Sequence, residues 1–175
     1  MDSPLRDLSL RAKALVQLAP SASFERPGVR ELVHSSDGLA LLGWSYREWL
    51  VVANEDWTRR ALVDALRGSC DCCVRDMSDA YCIFELRGPE CVALLAHLSS
   101  VDVAAAGVNT LRRTRIAGVD GAVVVLAESP PRLWLLVDRS HGPYLEEVVA
   151  AAQPARGAAL EVAPAAVGSA PRADG

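Results

Sequence analysis

Between Gly28 and Ala152 the chain alternates apolar runs with short polar breaks, and one order of elements occurs twice. Leu39-Ala40-Leu41-Leu42 leads through a polar stretch to Trp49-Leu50-Val51-Val52. Val123-Val124-Val125-Leu126 leads through Glu128-Ser129-Pro130-Pro131 to Trp134-Leu135-Leu136-Val137. Paired apolar runs around turn residues predict a β-hairpin in each case. Trp49 and Trp134 take matched places, which core packing explains. A helix is expected after each hairpin. The first has Asn54 as N-cap, Glu55 and Asp56 in the first turn, and Arg67 then Gly68 at the end. Its inward stripe is Trp57, Ala61, Leu62, Ala65 and Leu66. The second has Ser140 as N-cap and Pro143 in the first turn. Tyr144, Leu145, Val148, Val149 and Ala152 face inward, and Glu146 and Glu147 face solvent.

The stretch between these units adds more elements. Cys73 to Arg87 carries a strand with Cys82, Phe84 and Leu86 on one face. Gly88-Pro89-Glu90 opens a helix at a position where proline's missing N–H costs nothing. Cys91, Leu94, Leu95 and Leu98 share one side of it. Thr110 to Ile116 reads as a strand, followed by a turn at Gly118-Val119-Asp120-Gly121. Together these predict an α+β fold of two pseudo-repeated strand–strand–helix halves, about 28–70 and 71–152. They would form an antiparallel sheet with helices on one face. Residues 1–27 read as an N-terminal arm and linker. The arm contains a weak helix over Asp7 to Leu18, carried by Leu8, Ala12, Leu15 and Leu18 and stopped by Pro20. Residues 153–175, rich in Ala, Pro and Gly, have little to bury and read as a flexible tail.

Composition narrows the function classes. Of 175 residues, 51% are hydrophobic and 23% charged, a globular balance. The net charge of −4 offers no basic footprint for nucleic acid. No apolar run is long enough to span a bilayer, and the start lacks the pattern of a signal peptide. With no such signal, an odd number of cysteines predicts reduced thiols in a cytoplasm. Lys13 is the one lysine, and it lacks the Gly-rich context of a phosphate loop.

Candidate chemistry is sparse. Cys70-Asp71-Cys72-Cys73 places a C-x-x-C between Cys70 and Cys73, half of a zinc site or a redox pair. No second ligand pair follows, and the motif succeeds a helix instead of opening one, so thiols at the edge of a core explain it better. Cys82 and Cys91 fall on apolar faces and are explained by packing. His34, His97 and His141 stand apart, with no local signature of a Cys–His nucleophile. Gly43-Trp44-Ser45-Tyr46-Arg47 lacks the second glycine of a nucleophile elbow and reads as a hairpin turn. In Leu111-Arg112-Arg113-Thr114-Arg115-Ile116, Arg113 and Arg115 share one face of the strand and Arg112 and Thr114 the other. Guanidinium forks suit carboxylates, phosphates and acidic partner surfaces. A solvated edge strand guarded by charge is the plainer reading. Trp44 and Trp57 are free to anchor a partner surface. No residue is assigned a catalytic, cofactor-binding or metal-ligating role.

A resemblance adds to this reading. Asp76-Met77-Ser78-Asp79, Phe84-Glu85-Leu86-Arg87-Gly88-Pro89, Leu94-Leu95 and Val101-Asp102-Val103 resemble the aminomethyltransferase-like folate-binding superfamily. There a D-x-S segment leads to a strand, a Gly-Pro helix start and a short D-V exit. Gly107, Thr114-Arg115-Ile116-Ala117 and the run Leu133 to Ser140 look like the gamma subunits of heterotetrameric sarcosine oxidases. The resemblance spans about Gly28 to Ala152. It implies a folate-binding-domain-like fold and a non-catalytic, structural role beside alpha, beta and delta subunits. Such complexes oxidatively demethylate sarcosine to glycine, pass the one-carbon unit to tetrahydrofolate and form hydrogen peroxide. FAD, FMN, NAD and tetrahydrofolate would belong to the other subunits and none to this chain.

Two alternatives accompany it. One is the corresponding subunit of an N-methylglutamate or other secondary-amine dehydrogenase. The other is a stand-alone folate-dependent aminomethyltransferase-like protein with Asp120 as its acid–base residue. The catalytic relatives place their acidic residue near the start of the hairpin strand. Here that region reads Gly121-Ala122-Val123, with Asp120 slightly early, and a one-residue displacement along a strand turns a side chain to the other face.

Overall fold

Both hairpins form where the apolar runs place them. In a computed structural model, which describes residues 5–18, 27–69 and 72–152, β4 (Leu39–Ser45) pairs with β5 (Glu48–Ala53), and β9 (Val119–Glu128) with β10 (Pro131–Asp138). The remaining strands are β1 (Leu5–Asp7), β2 (Lys13–Leu18), β3 (Leu32–His34), β6 (Cys72–Asp76), β7 (Tyr81–Arg87) and β8 (Thr110–Ile116). The helices are α1 (Arg59–Ser69), α2 (Glu90–Leu98), α3 (Val103–Ala106) and α4 (Gly142–Ala152).

The strands build two antiparallel sheets instead of the single sheet expected. One runs β1-β7-β10-β9-β8 and the other β3-β4-β5-β2-β6. Alternation along each strand explains why. In β7, Cys82, Phe84 and Leu86 pack under the helices with Leu94, Leu95, Leu145 and Val149, as the sequence pattern predicts. Ile83, Trp134, Leu136, Ala122 and Val124 leave the opposite face and meet Leu42, Leu50 and Val52 of the second sheet. Trp49, Val51 and Ala53 then point outward beneath Leu62 of α1. Two helix layers thus enclose two sheets. Strands buried on both faces need no polar alternation, hence the unbroken runs Val123–Leu126 and Leu133–Val137. Each fully buried Leu or Val contributes about 1.5–3 kcal/mol.

The N-terminal segment departs from expectation. Residues 7–18 form no helix. They contribute β1 to the first sheet and β2 to the second. β5 and β6 supply backbone partners on both sides of β2, and Ala14 and Val16 drop into the core beneath α1. Such context overrides a weak helical spacing. Helix starts also shift. Asn54 forms a turn, accepting from the Asp56 N–H at 3.2 Å, and Thr58 caps α1 by accepting from the Ala61 N–H at 3.2 Å. Ala61 and Ala65 are exposed, and Leu62 is the buried anchor. Asp138 takes over the cap expected of Ser140, accepting from its N–H at 2.9 Å, and a 3-10 turn precedes α4.

The chain crosses between sheets twice at one place, after β1 and after β6. The two crossings are bonded together. The Leu8 N–H donates to the Ile83 carbonyl at 2.8 Å, and the Ile83 N–H to Ser9 Oγ at 3.2 Å. The Lys13 N–H donates to Ser78 Oγ at 3.0 Å, and the Met77 N–H to the Lys13 carbonyl at 2.9 Å. Lys13 itself is fully buried, its Nζ donating to the Ser9 and Arg11 carbonyls at 2.7 and 2.8 Å. Burial, aided by Arg139, lowers its pKa to about 8. The unfolded chain therefore binds more protons than the folded one between about pH 8 and 10.5, and stability attributable to Lys13 rises across that window. Relative to Lys13→Met, the wild type should gain up to about 3 kcal/mol on going from the lower to the upper limit. Urea titrations of both proteins at the two pH values check this, and a constant difference would contradict it.

Candidate functional site

At the end of the inter-sheet layer near Asp138, an open cleft of about 660 Å³ is lined by Trp44, Tyr81, Arg113, Arg115, Asp120 and Asp138, among others. A second cleft of about 430 Å³ shares Trp44 and Arg113 and adds Arg30, Tyr46 and Arg112. The fold delivers these side chains from separate elements. Register shifts between Gly43 and Ser45, which makes Trp44 the extra residue of a bulge. Gly43 has no alternative there: a Cβ would stand 2.0 Å from the Gly28 carbonyl oxygen. The Arg30 N–H donates to the Gly43 carbonyl at 2.9 Å, and the Arg30 carbonyl accepts from the Leu111 N–H at 2.7 Å. Arg30 holds this bridging position at a φ of 72°, an uncommon conformation for a residue with a side chain.

The Arg113 guanidinium lies 5.1 Å from the Trp44 ring centre, and Trp44 meets Tyr81 at 5.4 Å with planes tilted by 57°. An exposed cation–π contact contributes about 0.5–1 kcal/mol. Burial raises the Tyr81 pKa, against the pull of Arg113, so its hydroxyl remains a donor at neutral pH. Arg112, on the other face of β8, donates to the Ala106 carbonyl at 3.4 Å. Arg115 and Asp120 approach to 3.6 Å with side chains 74% and 95% exposed. Among the described residues neither Arg30 nor Arg113 forms an ion pair.

The opposite end of β7 and β10 carries a second arginine cluster of different character. Glu85 is 1% exposed, and it accepts from Arg132 at 2.8 and 2.9 Å, from Arg87 Nε at 2.6 Å and from Trp134 Nε1 at 3.2 Å. Burial alone would push its pKa up. The two guanidiniums and the indole outweigh burial and hold it below the ordinary value. The sequence pattern gave no signal for this cluster, since Glu85 lies inside an apolar run.

A chain of the solved structure described as heterotetrameric sarcosine oxidase from Corynebacterium sp. U-96 in complex with pyrrole 2-carboxylate is similar to this one. It matches with a TM-score of 0.71 and 21% identity over 85% of this chain and 82% of that one. The two chains share a fold. The regulatory subunit of aspartate kinase from Thermus thermophilus, in its ligand-free form, reaches a TM-score of 0.42 at 12% identity, covering 85% of this chain and 97% of that one; it carries no argument. Neither a protein-family model nor a curated protein matches the sequence.

The residues singled out in the sequence fall as follows. Asp120 shares the inter-sheet side of β9 with Ala122 and Val124 and stands at the mouth of the larger cleft. At the next position a Cβ on Gly121 would meet the Leu136 carbonyl at 2.5 Å and Ile116 at 3.0 Å, so no carboxylate fits there. Cys82 and Cys91 are buried free thiols, and burial, with Glu90 adding, raises the Cys91 pKa to about 11. Cys73 is free and exposed. Cys72 is disulfide-bonded, contrary to the expectation of reduced thiols throughout, and Cys70 lies outside the described residues. His34 sits on β3, His97 on α2 and His141 in the 3-10 turn. Among the described residues no group of three or more His, Cys, Asp or Glu side chains is arranged to hold a metal ion.

Replacing Glu85 by Leu leaves the Trp134 N–H buried without an acceptor, while both arginines regain water. A cost of about 1–3 kcal/mol is expected at neutral pH. Because the folded-state pKa is depressed, the wild-type advantage is complete above pH 4.5 and shrinks as the pH falls below it. Denaturant titrations of both proteins on either side of pH 4.5 test the trend; a difference that stays constant would contradict it.

Proposed function

We propose that this chain is the gamma-type, non-catalytic subunit of a heterotetrameric, flavin-dependent sarcosine oxidase. In this reading it assembles with alpha, beta and delta subunits in the cytoplasm. The complex demethylates sarcosine to glycine, with FAD, FMN, NAD and tetrahydrofolate bound by the other chains. The observation that carries the reading is the fold likeness to a sarcosine oxidase chain over 85% of this one. The residue motifs from Asp76 to Ser140 support it independently. The two strand–strand–helix halves, 28–70 and 71–152, are then the two pseudo-repeats of a folate-binding-domain-like unit. Gly121 also supports a non-catalytic role. Its hydrogen-only side chain sits where Ile116, Val137 and the Leu136 carbonyl leave no room for the carboxylate of catalytic relatives.

One observation favours the folate-transfer alternative: Asp120 stands in a cleft beside Arg113 and Arg115. Its carboxylate is almost wholly open to water, however, and stands at the mouth of the cleft instead of in an enclosed site. Expressed alone, the chain should oxidise no sarcosine. Co-expressed with FAD-, FMN- and zinc-binding companions of the sarcosine oxidase type, it should elute with them as one species. Separate elution, or oxidase activity of the isolated chain, would overturn the proposal.

A further inference from the structure

The free edge of β8 is closed at both ends and open in the middle. At one end the Leu111 N–H donates to the Arg30 carbonyl at 2.7 Å, and at the other the Ala117 N–H donates to the Leu98 carbonyl at 2.7 Å. Both bonds leave β8 on the side away from β9. Residues two apart on a strand share a hydrogen-bonding side, so the N–H groups of Arg113 and Arg115 point the same way. Among the described residues neither N–H has a partner. Their side chains turn into the two clefts, beside Trp44 and near Arg30 and Tyr46, the latter 81% exposed.

We propose that this gap receives an extended acidic segment of a companion subunit, added as a short antiparallel strand beside Arg113 and Arg115. The inference rests on the multi-subunit reading above and names the surface through which it operates. Three observations select the occupant. Unpaired edge amides call for an extended backbone. Among the described residues Arg30 and Arg113 lack carboxylate partners and Arg115 has only the solvated Asp120, so the added strand must bring its own carboxylates at alternate positions. Trp44 and Tyr46 offer flat aromatic surface between the arginines, suited to an apolar side chain on the same segment. A nucleic acid fits poorly, because the chain as a whole carries a charge of −4. A second copy of this chain fits poorly too, since its own open edge is arginine-rich and would place like charges together.

The test uses the full chain co-expressed with its companions. Arg113→Glu/Arg115→Glu is compared with Arg60→Glu, a control on α1, after both variants are shown to match the wild type in thermal unfolding. The double variant should lower recovery of companions with the chain by about tenfold or more, and the control should leave it unchanged. In the wild-type assembly, hydrogen exchange at the amides of Arg113 and Arg115 should slow by about tenfold or more relative to the free chain. Equal recovery with all three proteins, or no slowing at those amides, overturns the docking proposal while the assembly reading stands. Failure of the wild type to recover any companion overturns both. Protection of the same amides in the isolated chain by self-association, or by added tetrahydropteroylglutamate, also overturns it by naming another occupant.

Discussion

The paired crossings around Lys13 are the constraint on which the sandwich depends. β1 and β2 belong to different sheets, as do β6 and β7, so each sheet is completed only when both segments pass through the same opening. The backbone bonds of Lys13 and Met77, the hydroxyls of Ser9 and Ser78, and the buried ammonium satisfy polar groups that would otherwise be stranded between apolar layers. An uncharged replacement relieves the burial of charge but leaves the Ser9 and Arg11 carbonyls short of a donor. The crossing therefore trades two unfavourable terms against each other, and the residue present satisfies the carbonyls.

From that point the layers follow. The first sheet is covered by Leu94, Leu95, Leu145 and Val149 on one side and by the second sheet on the other. This is why the hairpins were legible as runs without alternation, and why the number of sheets was not. A strand buried on both faces reads the same whether its second cover is a helix or another sheet. The α2 stripe was legible residue by residue, because Cys91, Leu94, Leu95 and Leu98 face one side only. The N-terminal strands were not, because Leu8, Ala12, Leu15 and Leu18 happen to keep helical spacing. Only the neighbours β5 and β6 decide that Ala14 and Val16 face inward.

The cleft shows the same division. The arginines of β8 were visible as a cluster, and their arrangement on two faces follows from strand geometry. Trp44 stood out as an unconstrained aromatic. That the two meet is a consequence of the bulge after Gly43 and of the Arg30 bridge, and both depend on backbone approaches that no local pattern encodes. The triple-cysteine segment divides as well. Cys73 fits the expectation of a free thiol, while Cys72 does not.

The two arginine clusters separate structure from surface by their charge balance. Around Glu85 one buried carboxylate accepts from two guanidiniums and an indole, and the half-exposed arginines are held at the edge of an apolar layer. At β8 the balance runs the other way. Arg112 meets a carbonyl and Arg113 an aromatic face, Arg30 forms no ion pair among the described residues, and one solvated carboxylate approaches Arg115. A net-acidic chain that gathers uncompensated cations along one interrupted sheet edge leaves a field that only an external anion can complete. Charge placed solely to keep an edge strand from self-pairing would not need Trp44 turned beneath it, nor Arg30 held at a positive φ to close one end of the gap.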